Sequence, residues 1–178
     1  GLLAFTIFFY AVIYSVWLKR RTPQNIVIGG AAGALPPMVG WAAVSGTISL
    51  ESILLFAIIF IWTPPHFWAL ALVKNDDYKA ANIPMMPVVA GVADTKQQIF
   101  IYALILAPLG VAPYFIGMSS AIYGAVSAIL GLWFLHGAWK LKRSDNLELA
   151  MPLFKVSLYY LSLIFLGLIL DRAFLGGM

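Results

Sequence analysis

The chain has 178 residues, of which 62% are hydrophobic and 15% aromatic, and its formal net charge is +4. With only 10% charged residues, it has too little polar surface to enclose a soluble domain, which indicates an integral membrane protein. The absence of cysteine excludes a disulfide framework and a thiolate metal site.

A transmembrane helix needs about 20 mostly apolar residues, and six runs in the sequence approach or reach that length. They are residues 1–17, 26–46, 50–73, 97–117, 121–141 and 152–174. We therefore predict an all-α fold, a polytopic membrane helix bundle that forms a single domain over residues 1–178.

The first run is short for a membrane span. From Gly1 to Trp17 a helix would rise about 25 Å, which is less than the roughly 30 Å thickness of the hydrocarbon core. No initiator methionine or charged flank precedes it. We expect a chain truncated at its N-terminus, beginning inside a helix, rather than a signal peptide.

Two pairs of prolines lie inside predicted helices, Pro36-Pro37 in the second and Pro64-Pro65 in the third. Proline removes a backbone donor and clashes with the preceding turn, so both helices are expected to kink. The kinks either shape a cavity or serve packing, for which the glycines Gly29, Gly30 and Gly33 offer a close-contact face.

Basic residues are distributed unevenly among the connectors. If the helices alternate across the bilayer, ten of the eleven Lys and Arg residues lie at one end, and only Arg172 lies at the other. This bias predicts that the connectors Leu18–Asn25, Lys74–Lys96 and Lys142–Met151 are cytoplasmic. It also accounts for the positive charge without a nucleic-acid partner.

The connector Lys74–Lys96 holds two adjacent carboxylates, Asp76 and Asp77. Carboxylate oxygens are hard ligands of the kind Mg²⁺ takes when it also binds substrate phosphates. Basic side chains at the same end offer a grip for a diphosphate; they are Lys19, Arg20, Arg21 and Lys74. The alternatives are solvated loop carboxylates and ordinary topogenic charges.

His66 is predicted to lie inside the third helix, about two turns before the connector that holds the carboxylates. An ionisable residue at membrane depth is a functional candidate, although a hydrogen bond to a carbonyl freed by Pro64 or Pro65 would equally explain it. His136 near Trp139 is expected to anchor the helix at the interface. Asp171 and Arg172 are expected to form an exposed pair.

Three blocks of sequence resemble the haem O synthase (protohaem IX farnesyltransferase) family, within the superfamily of membrane-embedded prenyltransferases. They are LKRRTPQNIVIGGAAGALPPMVGWAAVSG at Leu18–Gly46, WTPPHFWALAL at Trp62–Leu72 and DDYKAANIPMMPV at Asp76–Val88. The resemblance covers essentially the whole chain and is closer to the bacterial form.

The resemblance implies nine helices, of which the six predicted here would be the last, and an earlier acidic motif that this chain lacks. The sequence departs from the wider D-x-x-x-D pattern of the superfamily, because Ala80 and Ala81 stand four residues after the carboxylates. That departure fits the haem-directed branch.

The implied activity is transfer of a farnesyl group from farnesyl diphosphate to a vinyl group of haem b, giving haem O and diphosphate. By the same resemblance, Asp76 and Asp77 would hold Mg²⁺, and Lys19, Arg20, Arg21 and Lys74 would bind the diphosphate. His66 would contact the haem or ligate its iron. Aromatic side chains would wall the cavity; they are Tyr14, Trp41, Trp62, Phe67 and Trp68.

The resemblance further implies a multi-pass protein of the bacterial inner membrane, with the lipid bilayer around it and a downstream haem-modifying enzyme or terminal oxidase assembly as partner. Two other functions remain open. One is a quinone-pathway polyprenyltransferase acting on a small aromatic acceptor, and the other is a transporter of amphipathic anions with broken helices.

Overall fold

The computed structural model describes residues 1–18 and 25–174, and in these ranges every regular element is helical. The helices are α1 (Leu2–Phe8), continued by a π-helical segment (Phe9–Leu18), α2 (Asn25–Ala34), α3 (Pro36–Ser45), α4 (Leu50–Val73), α5 (Asn75–Ala80), α6 (Met86–Val89), α7 (Gly91–Phe115), α8 (Ala121–Arg143), and α9 (Ala150–Phe174) after a 3₁₀ turn (Leu147–Leu149). The predicted all-α class is confirmed.

Within the described ranges, five helical segments are long and apolar enough to cross a membrane: Asn25–Ser45, Leu50–Val73, Gly91–Phe115, Ala121–Arg143 and Leu147–Phe174. They correspond to the second to sixth predicted runs. The first run contains a shorter apolar helix, Leu2–Tyr14. The structure therefore has the predicted multi-pass architecture with five membrane-length helices.

The two proline pairs have different effects on their helices. The second predicted helix is interrupted, because α2 ends at Ala34 and the prolines occupy the first two positions of α3. That is where a missing backbone donor costs least. By contrast α4 continues through Pro64 and Pro65, both of which are buried. It remains one helix of 24 residues.

The core lies among α4, α7, α8 and α9. Its largest fully buried side chains include one from each helix, Ile58, Ile99, Phe134 and Tyr160, all at most 1% exposed. The rings of Phe134 and Tyr160 stack with centroids 5.6 Å apart. Helix α4 also contacts α2 and α3, so the segment that carries His66 is the central helix of the bundle.

Tyrosine hydroxyls join the core helices to the backbone of α7. Tyr160 of α9 donates to the carbonyl oxygen of Leu106 at 3.3 Å, and Tyr123 of α8 donates to that of Gly110 at 2.9 Å. In a membrane interior a buried polar group must find a protein partner. These bonds satisfy the two hydroxyls and fix α8 and α9 against α7.

Hydrogen bonds at the helix ends show which connectors lie together. Lys96 Nζ, at the start of α7, donates to the carbonyl oxygen of Ser144, at the end of α8, at 2.7 Å. At the opposite end, the Asp171 carboxylate accepts from the backbone N–H of Ser120 at 2.9 Å and from its hydroxyl. The expectation that Asp171 is exposed was wrong: the residue is 9% exposed, because it caps the start of α8.

Candidate functional site

The acidic segment forms a short helix instead of an open loop. Helix α4 ends at Val73, and α5 follows directly with Asp76 and Asp77 in its first turn. Carboxylates are favoured there because the helix N-terminus carries partial positive charge. The chain then turns at Asn82, which has a φ of 52°. The two carboxylates thus lie at the end of the helix that carries His66.

Each carboxylate has its own lysine partner. Asp77 lies 3.2 Å from Lys74 Nζ, and Asp76 lies 3.6 Å from Lys79 Nζ. Successive residues of a helix do not face each other, so the two side chains leave α5 in different directions. The side chain of Asp76 is 97% exposed and that of Asp77 is 72% exposed. Exposed ion pairs contribute about 0–1 kcal/mol, so either carboxylate can exchange its lysine for a ligand at little cost.

The predicted diphosphate grip is only partly described. Lys74 lies between α4 and α5 beside Asp77. Lys19, Arg20 and Arg21 fall outside the described residues. Across residues 1–18 and 25–174, no group of three or more His, Asp or Glu side chains comes together as a metal site.

The donor set at α5 fits part of a magnesium site. Mg²⁺ in phosphate-handling sites uses one or two carboxylates together with substrate phosphates and waters. Asp76 and Asp77 supply hard oxygen donors that are open to solvent. The arrangement therefore suits an ion that arrives with an anionic substrate.

His66 lies at the contact between α4 and α9. Its ring is stacked between Trp62, with centroids 4.2 Å apart, and Phe154, with centroids 4.5 Å apart. Phe67 meets it edge-on at 5.1 Å. The residue is 6% exposed. His66 is therefore enclosed by aromatic rings from both helices.

The polar partner of His66 is also on α9. Its Nδ1 lies 2.7 Å from Ser157 Oγ, a partner on another helix, whereas the alternative weighed from the sequence was a carbonyl of α4 freed by Pro64 or Pro65. Ser157 Oγ donates to the carbonyl oxygen of Phe154 at 2.6 Å, and Trp62 Nε1 donates to that of Ser157 at 2.8 Å. We call Trp62, His66, Phe154 and Ser157 the His66 cluster.

Sequence reasoning missed the α9 half of this cluster. Ser157 is fully buried and lies 91 residues from His66 in the chain. The available signal was a serine within an apolar membrane helix, since such residues commonly make interhelical hydrogen bonds. That signal does not identify the partner.

A cavity of about 270 Å³ lies between the π-helical segment, α2 and α4. Three of the predicted aromatic wall residues line it, Tyr14, Trp62 and Phe67, and so does a glycine face; those glycines are Gly29, Gly30 and Gly33. Trp41 does not line this cavity. Trp68 was wrongly placed, because it is 1% exposed and packs edge-on against Tyr102 of α7 at 5.3 Å.

The glycines of α2 that line this cavity differ in how much space surrounds them. A Cβ on Gly30 would lie 2.9 Å from Thr63 Cγ2, and one on Gly29 would overlap the Tyr14 ring. Gly29 and Gly30 therefore permit close helix contact. A Cβ on Gly33 meets nothing within 4 Å, so Gly33 leaves open space. The glycines serve packing and cavity formation together.

Comparison with known proteins gives one matching family and relatives that share one name. Residues 1–168 match the UbiA prenyltransferase family. The chain is 62% identical over 174 residues to a protein of Mesorhizobium japonicum named protoheme IX farnesyltransferase 2, covering 96% of this chain and 55% of that relative. It is 55% identical over 175 residues to protoheme IX farnesyltransferase of Brucella anthropi, covering 96% and 56%. The chain thus spans about half the length of the curated relatives it matches. No solved structure matches it significantly.

Proposed function

Because this chain belongs to the UbiA prenyltransferase family, we propose that it acts in the transfer of a farnesyl group from farnesyl diphosphate to haem b. The products are haem O and diphosphate. One observation carries the proposal: identities of 55% and 62% to proteins named protoheme IX farnesyltransferase, each over 96% of this chain.

The reaction breaks the bond between farnesyl C1 and the diphosphate oxygen, and the diphosphate leaves with the bonding electrons. Farnesyl C1 then bonds to the terminal carbon of a haem vinyl group. Water adds to the neighbouring carbon and releases a proton, which leaves the hydroxyl group of haem O. The protein has two tasks, to stabilise the departing anion and to keep water from the allylic cation.

The exposed carboxylates and lysines at α5 suit the first task. Asp77 and Asp76 would hold Mg²⁺, which when bound neutralises charge on the diphosphate. Lys74 is 3.2 Å from Asp77 and would exchange this contact for one to a phosphate oxygen. Lys19, Arg20 and Arg21 would add further charge-assisted hydrogen bonds.

The cavity beside α4 suits the second task. Tyr14, Trp62 and Phe67 offer it aromatic surfaces, and Gly33 leaves room. An apolar chain bound there would be shielded from water by ring faces. Trp62 belongs both to this cavity and to the His66 cluster. It therefore connects the proposed prenyl pocket with the proposed haem contact.

His66 is proposed to contact the haem, with its Nε2 as an axial ligand of the iron. The position of His66 supports this, because it is a buried ionisable residue within a membrane-length helix, and such residues are commonly functional. The site would belong to a multi-pass protein of the bacterial inner membrane with its acidic segment cytoplasmic. A haem-modifying enzyme or a terminal oxidase assembly would receive the product.

The test uses the complete gene product in membranes of a host that makes no haem O. Farnesyl diphosphate, haem b and Mg²⁺ are added, and the products are identified by chromatography and mass spectrometry. We expect a haem whose mass has increased by one farnesyl group and one hydroxyl group, with diphosphate released. A small aromatic acid as prenyl acceptor is the matched control. Prenylation of that acid and not of haem would contradict the proposal, and absence of diphosphate release would favour a carrier.

A further inference from the structure

The hydrogen bonds of the His66 cluster determine where its protons lie. Ser157 has a single hydroxyl proton, and its oxygen is 2.6 Å from the carbonyl oxygen of Phe154 and 2.7 Å from His66 Nδ1. If that proton pointed at His66, two oxygen lone pairs would face each other at 2.6 Å. Donation to the Phe154 carbonyl removes that repulsion.

The consequence for the imidazole follows directly. With its only proton directed at Phe154, the Ser157 oxygen can bond to His66 solely as an acceptor. His66 Nδ1 must then carry the proton. In a neutral imidazole the other nitrogen, Nε2, is then unprotonated and has a free lone pair.

We propose that Ser157 is a positioning residue that fixes His66 in its Nδ1–H tautomer, so that Nε2 is the nitrogen with the free lone pair. Metal-binding histidines usually donate their second ring N–H to a protein acceptor, which sets the tautomer and the ring orientation. The Ser157 oxygen has that place here. The ligand, haem iron, rests on the proposed function; the tautomer itself does not.

The ring orientation is fixed independently of the tautomer. The imidazole stacks against Trp62 of α4 and against Phe154 of α9. In addition, Trp62 Nε1 donates to the Ser157 carbonyl oxygen at 2.8 Å. This bond joins α4 to the residue whose hydroxyl meets His66. Removing it tests orientation, while removing the hydroxyl tests the proton position. The two effects can therefore be separated by mutation.

The chain contains only two histidines, His66 and His136. His136 is exposed on α8, so H136Q leaves His66 as the sole imidazole. We would incorporate ¹⁵N-labelled histidine into this variant, place the 178-residue chain in lipid bilayers and record solid-state ¹⁵N spectra at neutral pH. The two nitrogens of each tautomer have widely separated shifts. We expect a protonated Nδ1 and an unprotonated Nε2.

Three variants in the H136Q background complete the test. S157A removes the acceptor and should move His66 toward the Nε2–H form that neutral imidazoles prefer in water. S157T retains a hydroxyl and should restore the Nδ1–H spectrum. W62F retains a stacking ring and removes the bond to the Ser157 carbonyl, and it should leave the proton on Nδ1. An Nε2–H spectrum in the H136Q chain would overturn the inference. An Nδ1–H spectrum that stays the same after S157A would also overturn it.

Addition of haemin to the H136Q chain separates this inference from the function on which it rests. Ligation by Nε2 would shift or broaden the Nε2 signal while Nδ1 stays protonated. If the Nδ1–H tautomer is present and haemin leaves the Nε2 signal unchanged, this chain does not ligate haem through His66, and the role of Ser157 stands. If haemin binds and the free chain shows Nε2–H, the role of Ser157 is wrong.

Discussion

Asp76 and Asp77 are neighbours in sequence, yet they have different surroundings. Asp77 pairs with Lys74 where α4 meets α5, and Asp76 pairs with Lys79. The lysine partner of Asp77 thus directly follows the helix that carries His66, and the Asp77 side chain is 72% exposed while that of Asp76 is 97% exposed. This difference makes Asp77 the stronger candidate for the metal ligand.

Replacing Asp77 with Asn should lower Mg²⁺-dependent farnesyl transfer by at least about tenfold, which corresponds to roughly 1.4 kcal/mol of activation free energy. The substitution retains size and removes the charge that would hold the ion. Turnover is measured over a range of Mg²⁺ concentrations in the complete gene product. Asp145→Asn is the matched control, because Asp145 is an exposed carboxylate in the α8–α9 connector and should have wild-type rates. Equal rates for the two variants would show that Asp77 is an ordinary surface carboxylate.

Replacing His66 with Ala should abolish the haem-dependent absorption change and farnesyl transfer, and leave binding of farnesyl diphosphate close to wild type. The reason is that His66 packs against aromatic rings of α4 and α9, away from the carboxylates. His136→Ala removes an exposed imidazole and serves as the control. A His66→Ala protein with an unchanged haem spectrum and reduced thermal stability would show that His66 serves only the contact between helices.

The sequence identifies Asp76, Asp77 and His66 as candidates, because scarce polar residues in an apolar chain stand out. It was insufficient for Ser157 and Phe154, since their importance depends on which faces of α4 and α9 meet. The same limit explains Trp68, whose neighbour Phe67 points to the cavity while Trp68 packs on Tyr102. In both cases the rotation of the helix about its own axis determines which residues face a neighbour or the cavity. The apolar pattern of a membrane helix scarcely reveals that rotation.

At the level of elements, α7 packs against α4 and α8, while α9 packs on α4 and α8 and reaches α7 through Tyr160. Gly110 meets a tyrosine from each of two other helices: its carbonyl accepts from Tyr123 of α8, and a Cβ there would overlap the Tyr160 hydroxyl of α9. Tyr160 is fully buried, and its hydroxyl is held by a bond to the Leu106 carbonyl. A small residue at this position is therefore required by packing, as at other close helix contacts in membranes.

Replacing Gly110 with Ala should destabilise the bundle by about 1–3 kcal/mol, the usual cost of overpacking a core. The new methyl group would displace the Tyr160 hydroxyl from the Leu106 carbonyl. Unfolding in detergent with increasing denaturant measures the change. Gly40→Ala is the control, because Gly40 lies within α3 and a Cβ there meets nothing within 4 Å. A loss of stability as large in Gly40→Ala would assign the effect to the backbone instead of to Tyr160.

Across the whole molecule, the apolar runs predicted the positions of five membrane-length helices well, because the required length is fixed by the bilayer. Their ends were less predictable. Helix α7 begins at Gly91, six residues before the predicted run, since polar residues continue the helix beyond the hydrocarbon region. The connector Lys74–Lys96 likewise contains α5 and α6, which hydrophobicity does not signal.

The distribution of charge predicts the orientation of the molecule in the membrane. The bond from Lys96 to Ser144 and the bonds from Ser120 to Asp171 mark opposite ends of the α7–α9 unit. Because all Lys and Arg except Arg172 belong to the connectors assigned to the first end or flank them, that end should be cytoplasmic.

Single cysteines test this orientation without background, because the chain has none. Ala81, Asp145 and Ala121 are exposed, the first two at the predicted cytoplasmic end and the third at the other. In intact cells a membrane-impermeant maleimide should label Ala121→Cys only, and after permeabilisation it should label all three. Labelling of Ala81→Cys and Asp145→Cys alone in intact cells would show that the orientation is the reverse of the predicted one, while the helix arrangement would remain supported. Labelling of only one of these two in intact cells would contradict the helix arrangement itself, because it would place the α5 segment and the α8–α9 connector on different sides of the membrane.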